Sequence, residues 1–284
     1  MALLTASDGV ELYAETHGEG IPVLFSCAFS TTLENWRGQV EPLVGRGFRV
    51  ILWDHRGHGR SARPQSPDAY SMEQVVADFG TVLDWAAPGA AAVLVGHSFG
   101  GLASLHFAAR FAERTRALVL LGSGPGFKKP EAAARWMERT ERTARYIEER
   151  GFAAFVGGKA GATCVGRRPE LPGARAAAAA IERQSPRSVA TFARRVAGPA
   201  PPIIDELASI EAPALVLVGE EDEPFLRAAE VMASRLPRAR LELLPGAGHV
   251  ANLEQPALFN EHLVSFLEAL AGGEAAADGK STPP

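Results

Sequence analysis

The segment Gly96-His97-Ser98-Phe99-Gly100-Gly101 constrains this chain more than any other. A short, continuously apolar run over residues 91–95 leads into it, and a helical pattern over 99–111 leads out. A serine on so sharp a strand-to-helix turn has a strained backbone. The residues two before and two after it must be small to avoid clashes, and Gly96 and Gly100 meet that need. The helix that starts beyond Ser98 points its first amide N–H groups toward any oxygen reacting there. This is the strand–turn–helix setting of the G-x-S-x-G pattern, in which the serine is a nucleophile. The competing reading is an ordinary loop whose serine caps a helix; the buried strand on one side and the helix on the other favour the nucleophile. Adjacent side chains diverge on a tight turn, so His97 is read as a structural or pocket residue, not as the base for Ser98.

The surrounding pattern alternates strands with helices. Runs at 21–26, 50–53, 91–95, 117–121, 214–218 and 241–244 are more continuously apolar. That suits parallel strands covered on both faces. Residues 3–6 and 10–16 predict an antiparallel edge pair, which makes eight strands. Helices are expected over 71–85, 99–111, 225–236 and 256–270. The first opens on Ser71 with Gln74 three residues later, a capping-box spacing. The fold class is therefore α/β, a mostly parallel eight-stranded sheet flanked by helices. The alternation breaks after the sixth strand. One long charged helix pattern over 129–150, then 175–184 and 186–196, follow with no strand between them. The expected organisation is a core of 1–126 and 207–271, a helical cap of 127–206 over the carboxyl edge of the sheet, and a disordered tail at 272–284. Ligands bind at that edge in open α/β sheets.

A serine hydroxyl needs a base to remove its proton. Among seven histidines, His249 fits best. It follows the strand pattern at 241–244 and the turn Pro245-Gly246-Ala247-Gly248, and it precedes the last helix. His17 ends an early strand, and His106 and His262 lie within helices. His55 and His58 lie in the Gly-rich loop Asp54-His55-Arg56-Gly57-His58-Gly59-Arg60-Ser61, read as structural. The base needs an acid to fix its tautomer. After the strand at 214–218 come Glu220, Glu221, Asp222 and Glu223. Asp222 sits where the loop turns back toward the site and is preferred to Glu220 and Glu221.

The formal net charge is −4 with acids and bases intermixed, and no basic stripe marks a nucleic-acid partner. Two distant cysteines, Cys27 and Cys164, suggest neither a disulfide framework nor a zinc site. A cytoplasmic location is expected. The first nine residues lack the features of a signal peptide, and no apolar run reaches the roughly 18 residues of a membrane helix. The expected partner is a small-molecule substrate, with the chain a monomer or homodimer.

Together, residues 96–101, the 54–61 loop, the 219–222 turn and Gly248-His249 resemble the α/β-hydrolase superfamily over about residues 3–270. The order Ser98, Asp222, His249 is that superfamily's chain order. The resemblance implies that the backbone N–H of Phe99 is one oxyanion donor. It implies a second from the loop after the third strand, where the register points to Phe29. Many members carry a His-Gly pair in that loop; this chain has Ser26-Cys27-Ala28-Phe29. The run Ser26–Thr32 looks like the loop of 3-oxoadipate enol-lactonases, with Cys27 in place of an asparagine. The Gly-Pro-Gly element of meta-cleavage-product hydrolases is absent, and Ser98 stands where haloalkane dehalogenases have aspartate. The resemblance implies a carboxylesterase- or lactonase-like serine hydrolase without metal or organic cofactor. Its alternatives are a carbon–carbon bond hydrolase, a cofactor-free perhydrolase, and a non-catalytic ligand receptor. Cys27, His97, Phe127, Trp136, Phe155 and Val250 are the expected pocket residues of a fairly apolar substrate site.

Overall fold

The computed structural model describes residues 1–278. Its strands are β1 (Ala2–Thr5), β2 (Glu11–His17), β3 (Ile21–Ser26), β4 (Phe48–Trp53), β5 (Ala92–His97), β6 (Thr115–Leu121), β7 (Ala214–Gly219) and β8 (Ala239–Leu244). The helices are α1 (Arg37–Val44), α2 (Met72–Ala86), α3 (Phe99–Arg110), α4 (Pro130–Gly157), α5 (Pro172–Glu182), α6 (Pro186–Phe192), α7 (Glu223–Arg235), the single turn α8 (Ala251–Glu254), and α9 (Pro256–Asp278). The strands form one sheet in the order β1-β2-β4-β3-β5-β6-β7-β8. The β1–β2 and β2–β4 pairings are antiparallel, and the other five are parallel.

The inner strands are predominantly apolar because both faces are covered. Successive side chains of a strand point to opposite faces. Leu118 and Leu120 of β6 pack into one core with Phe79 of α2, Phe107 of α3 and Met232 of α7. Ala117, Val119 and Leu121 pack into the other with Leu43 of α1 and Phe259 and Leu263 of α9. Each such fully buried large side chain contributes about 1.5–3 kcal/mol. Those contacts fix the level of the strand ends that carry the site.

Helix α2 starts where its cap predicts, with the Ser71 hydroxyl accepting from Gln74 N at 3.2 Å. The reciprocal half of the capping box is missing, because the Gln74 amide donates to Asp8 and to the Asp68 carbonyl instead. Helix α4 runs past the expected end at residue 150. Gly151 lies at φ 74, ψ 171, so the chain bends there and resumes a helical turn over 152–157. Helix α6 passes into a π turn at Ala193–Ala197. Helix α9 continues to Asp278, so residues 272–278 are not the irregular tail that their composition suggested. The run Glu274-Ala275-Ala276-Ala277 favours helix strongly enough to carry it on. The remainder of the expected tail lies outside the described residues. No described helix is long and apolar enough to cross a membrane.

Between β6 and β7 the helical segment packs on the body through its own apolar cluster. Phe152, Phe155, Cys164, Val165, Ile181 and Val189 meet Val250 and Leu253 there.

Candidate active site

The site is built at the carboxyl ends of β3, β5, β6, β7 and β8. Strand β5 ends at His97, α3 starts at Phe99, and Ser98 between them sits at φ 53, ψ −114. A non-glycine residue there costs about 1–3 kcal/mol of strain, which persists only where its surroundings hold it. Here Ser98 N donates to Leu121 O at 2.9 Å, while Ser98 O accepts from Gly101 N at 3.1 Å and from the Ser123 hydroxyl at 2.7 Å. The glycines are required by contact. A Cβ on Gly96 would lie 2.5 Å from the Gly100 carbonyl, and one on Gly100 would lie 2.3 Å from Ser26 O. Gly101 is equally constrained, 2.3 Å from Ser123 Oγ, a need that the five-residue pattern does not state.

His249 and Asp222 come together across 27 residues. His249 Nδ1–H donates to Asp222 Oδ2 at 2.8 Å, and Asp222 is 4% exposed. The rival acids have other partners. Exposed Glu221 pairs with Arg167, and Glu220 accepts from Gly246 N at 3.4 Å. The His249 ring stacks on Phe225, with centroids 4.5 Å apart. Gly122, just after β6, leaves room for the pair, since a Cβ there would lie 3.1 Å from His249 Nδ1 and 3.2 Å from Asp222 Oδ2. The His249 loop is anchored by Glu254, a buried carboxylate that accepts from Gly248 N at 3.0 Å and from Arg167 Nε at 2.9 Å. Arg167 comes from the segment between α4 and α5, so one guanidinium ties that segment to both the acid and the base loops.

The loop after β3 is shaped by the Gly-rich 54–61 loop. His55 Nε2 donates to Cys27 O at 3.1 Å, and Ser30 N donates to His58 Nε2 at 3.3 Å. Burial holds the pKa of His55 down to about 3 and that of His58 to about 4, so both stay neutral. Asp54 accepts from Leu33 N and Arg60 N at 2.9 Å each, and its burial pushes its pKa up to about 6. Gln184 bridges the two loops, donating to Ser30 O at 2.8 Å and accepting from Gly59 N at 3.1 Å. Ser30 itself is held at φ 71. Phe99 opens α3, so its N–H has no acceptor within the helix.

Two cavities meet at Ser98. One, of about 320 Å³, is lined by Ser98, Asp222 and His249 together with Phe29, Phe155, Arg139 and Lys159. The other, of about 310 Å³, is mostly apolar and is lined by Ser98, Phe29, Phe99, Leu102, Phe127 and Trp136 among others.

A family model for the alpha/beta hydrolase fold matches residues 21–256. The chain belongs to this family. Over 95% of its length it is 29% identical to a non-heme haloperoxidase of Rhodococcus erythropolis, of which it covers 100%. A thermophilic esterase from Thermogutta terrifontis superposes with a TM-score of 0.82 at 27% identity, covering 95% of this chain and 98% of that one. The enol-lactonase from Burkholderia xenovorans LB400 superposes with a TM-score of 0.79 at 26% identity, covering 94% and 100%.

Within this α/β-hydrolase, Phe127, Trp136 and Phe155 line the cavities, and Cys27, His97 and Val250 do not. Cys27 is buried in the core below the sheet edge, with its Sγ 3.9 Å from Trp53 O and its thiol pKa raised by burial. His97 is buried and donates from Nε2 to His249 O at 2.8 Å. Burial and the nearby His249 hold its pKa well below the usual value, and it serves to prop the His249 backbone. Val250 is spent in the apolar cluster under the helical segment. In each case the backbone passes the site while the side chain points away from it. Sequence reading missed Leu102, Pro224, Phe225 and Arg139 as lining residues. Pro224 and Phe225 could have been found as the residues that follow the acid turn. Leu102 is one helical turn on from Ser98.

Proposed function

We propose that this α/β-hydrolase is a serine hydrolase that cleaves a carboxylic ester or lactone of a small, fairly apolar substrate. The observation that carries the reading is one cavity lined by Ser98, His249 and Asp222, with His249 Nδ1 held by Asp222 at 2.8 Å. In this mechanism Ser98 Oγ attacks the carbonyl carbon as His249 Nε2 takes its proton. Asp222 fixes the tautomer that leaves Nε2 free and stabilises the imidazolium. The N–H groups of Phe99 and Phe29 receive the oxyanion. His249 then protonates the leaving oxygen, and a water activated by His249 releases the acid from Ser98. Residues 127–206 act as a cap over the site, with Trp136 and Phe155 excluding water. The esterase and enol-lactonase likenesses support the bond type.

The test compares wild type with Ser98→Ala on short p-nitrophenyl esters and simple lactones. The variant should lose at least about a thousandfold in turnover, and undiminished hydrolysis would overturn the assignment. A second reading keeps the acyl-enzyme but lets hydrogen peroxide replace water, which gives a peracid and free Ser98. The haloperoxidase relative favours it. Peroxide-dependent halide oxidation in the presence of a carboxylic acid, lost in Ser98→Ala, would single it out.

A further inference from the structure

Helix α4 sorts its charges by face. Arg135, Arg139 and Arg142 follow at helical spacing and share one side. Two of its acids, Glu141 and Glu148, turn elsewhere and are both held by Arg194 of the π turn, through bonds of 2.7 to 3.2 Å. The arginine side faces the site. Arg135 and Arg139 line the apolar cavity, and Arg139 and Lys159 line the cavity that holds Ser98 and His249. Arg139, Arg142 and Lys159 continue into an outer cleft of about 410 Å³. Among the described residues the only carboxylate lining these three spaces is Asp222, already engaged by His249. Among the described residues none of the four cations is in an ion pair, whereas Arg37, Arg56, Arg167 and Arg194 all are. Arg139 lies 5.8 Å over the Trp136 ring, which steadies its guanidinium beside the cavity.

The chain as a whole is acidic, at −4, so this concentration of positive charge is local to the mouth of the site. Clefts lined by one sign of charge focus the field and raise the local concentration of an oppositely charged ligand. A guanidinium presents a planar fork of donors that fits a carboxylate, and an ammonium adds a point charge. We propose that the substrate carries a carboxylate as well as the bond to be broken, and that Arg139 and Lys159 bind that carboxylate while Arg135 and Arg142 steer it in. The inference rests on the Ser98 hydrolase reading. It makes the occupant an amphiphilic half-ester or carboxylated lactone, with its apolar part against Phe29, Phe127 and Trp136.

The experiment uses paired substrates that differ at one group, a carboxylate in one member and a neutral group in the other. On the acyl side, p-nitrophenyl hydrogen glutarate is set against p-nitrophenyl pentanoate. On the leaving-group side, p-carboxyphenyl pentanoate is set against its p-carbamoyl analogue. The ratio of kcat/KM, anionic over neutral, is the readout. In wild type at low salt the ratio should reach about tenfold or more in one pair, within the range electrostatic steering supplies. It should fall toward one in about 0.5 M NaCl, where screening acts within a few ångströms. The double variant Arg139→Gln/Lys159→Gln should lose the preference, and Arg139→Lys should keep most of it. A wild-type ratio of one or below in both pairs overturns the inference, as does a ratio unchanged in the double variant. Calorimetric binding of p-nitrophenyl hydrogen glutarate to Ser98→Ala protein, with and without the two glutamines, reads the anion site without turnover. If no ester is cleaved but binding weakens about tenfold or more with the glutamines, the hydrolase reading fails and the anion site stands. Binding equal in both proteins overturns the site.

Discussion

Asp222 and Glu221 are neighbours with opposite surroundings. Asp222 is buried against His249 Nδ1, while Glu221 is exposed and meets Arg167. Replacing Asp222 by Asn should cut turnover by about 10⁴, because the imidazole then adopts the wrong tautomer. Glu221→Gln should leave turnover within a few-fold of wild type, and steady-state kinetics of the two variants checks the choice of acid. Arg167 carries a different expectation. Its partner Glu254 is 1% exposed and keeps only the Gly248 N–H if the guanidinium goes. Removing one partner of a fully buried pair costs about 3–5 kcal/mol. Arg167 is itself partly exposed, so Arg167→Ala should cost about 1–2 kcal/mol after solvent screening. Urea denaturation measures this. Adding Glu254→Gln should recover part of the loss, because the unpaired buried charge is then gone. A double variant less stable than Arg167→Ala would mean that the cost comes from lost packing.

At the scale of elements, α4 shows how one residue re-aims a helix. The charged pattern predicts helix over 129–150, and Gly151 then turns the chain so that Phe152 and Phe155 reach the apolar cluster. At φ 74, ψ 171 the backbone is in a region open essentially to glycine alone. No atom lies within 4 Å of a Cβ placed there, so strain is the whole cost of a side chain. Gly151→Ala should destabilise by about 1–3 kcal/mol, read as a lowered Tm, and no change would show that the bend relaxes freely. The inner strands were legible to within a residue or two because each carries a nearly continuous apolar run. The start of β4 was missed because Arg49 interrupts the pattern. Its side chain escapes the core by donating to Ala86 O at 2.7 Å.

The whole molecule holds several histidines neutral in its interior. His55 and His58 titrate at about 3 and about 4, against an ordinary 6.5, and His97 is shifted in the same direction. Below pH 6.5 the unfolded chain takes up protons at these sites and the folded chain does not, so acid favours unfolding. Asp54 and Asp78 oppose this. Burial raises the pKa of each to about 6 from 3.8, so the folded protein binds protons there before the unfolded one does. Unfolding near pH 5 therefore takes up about one proton net, and stability should fall by about 1.4 kcal/mol per pH unit between pH 6 and 4.5. Urea midpoints at successive pH values test it; stability that is flat or rising on acidification over that range would show that these groups are not buried as described.

The sequence by itself determined the turn at Ser98, the parallel sheet behind it, and the chain order Ser98, Asp222, His249. These rest on local periodicity and on glycines whose need is steric. Tertiary structure decided what the side chains around the site meet. It turned Cys27, His97 and Val250 inward, and it put the arginines of α4 at the mouth of the site. The reason is physical. A pattern of spacing tells which face of an element a residue occupies. What that face meets is set by packing against segments more than a hundred residues away, and at Ser98 that packing joins β5, β6 and the helices that follow them.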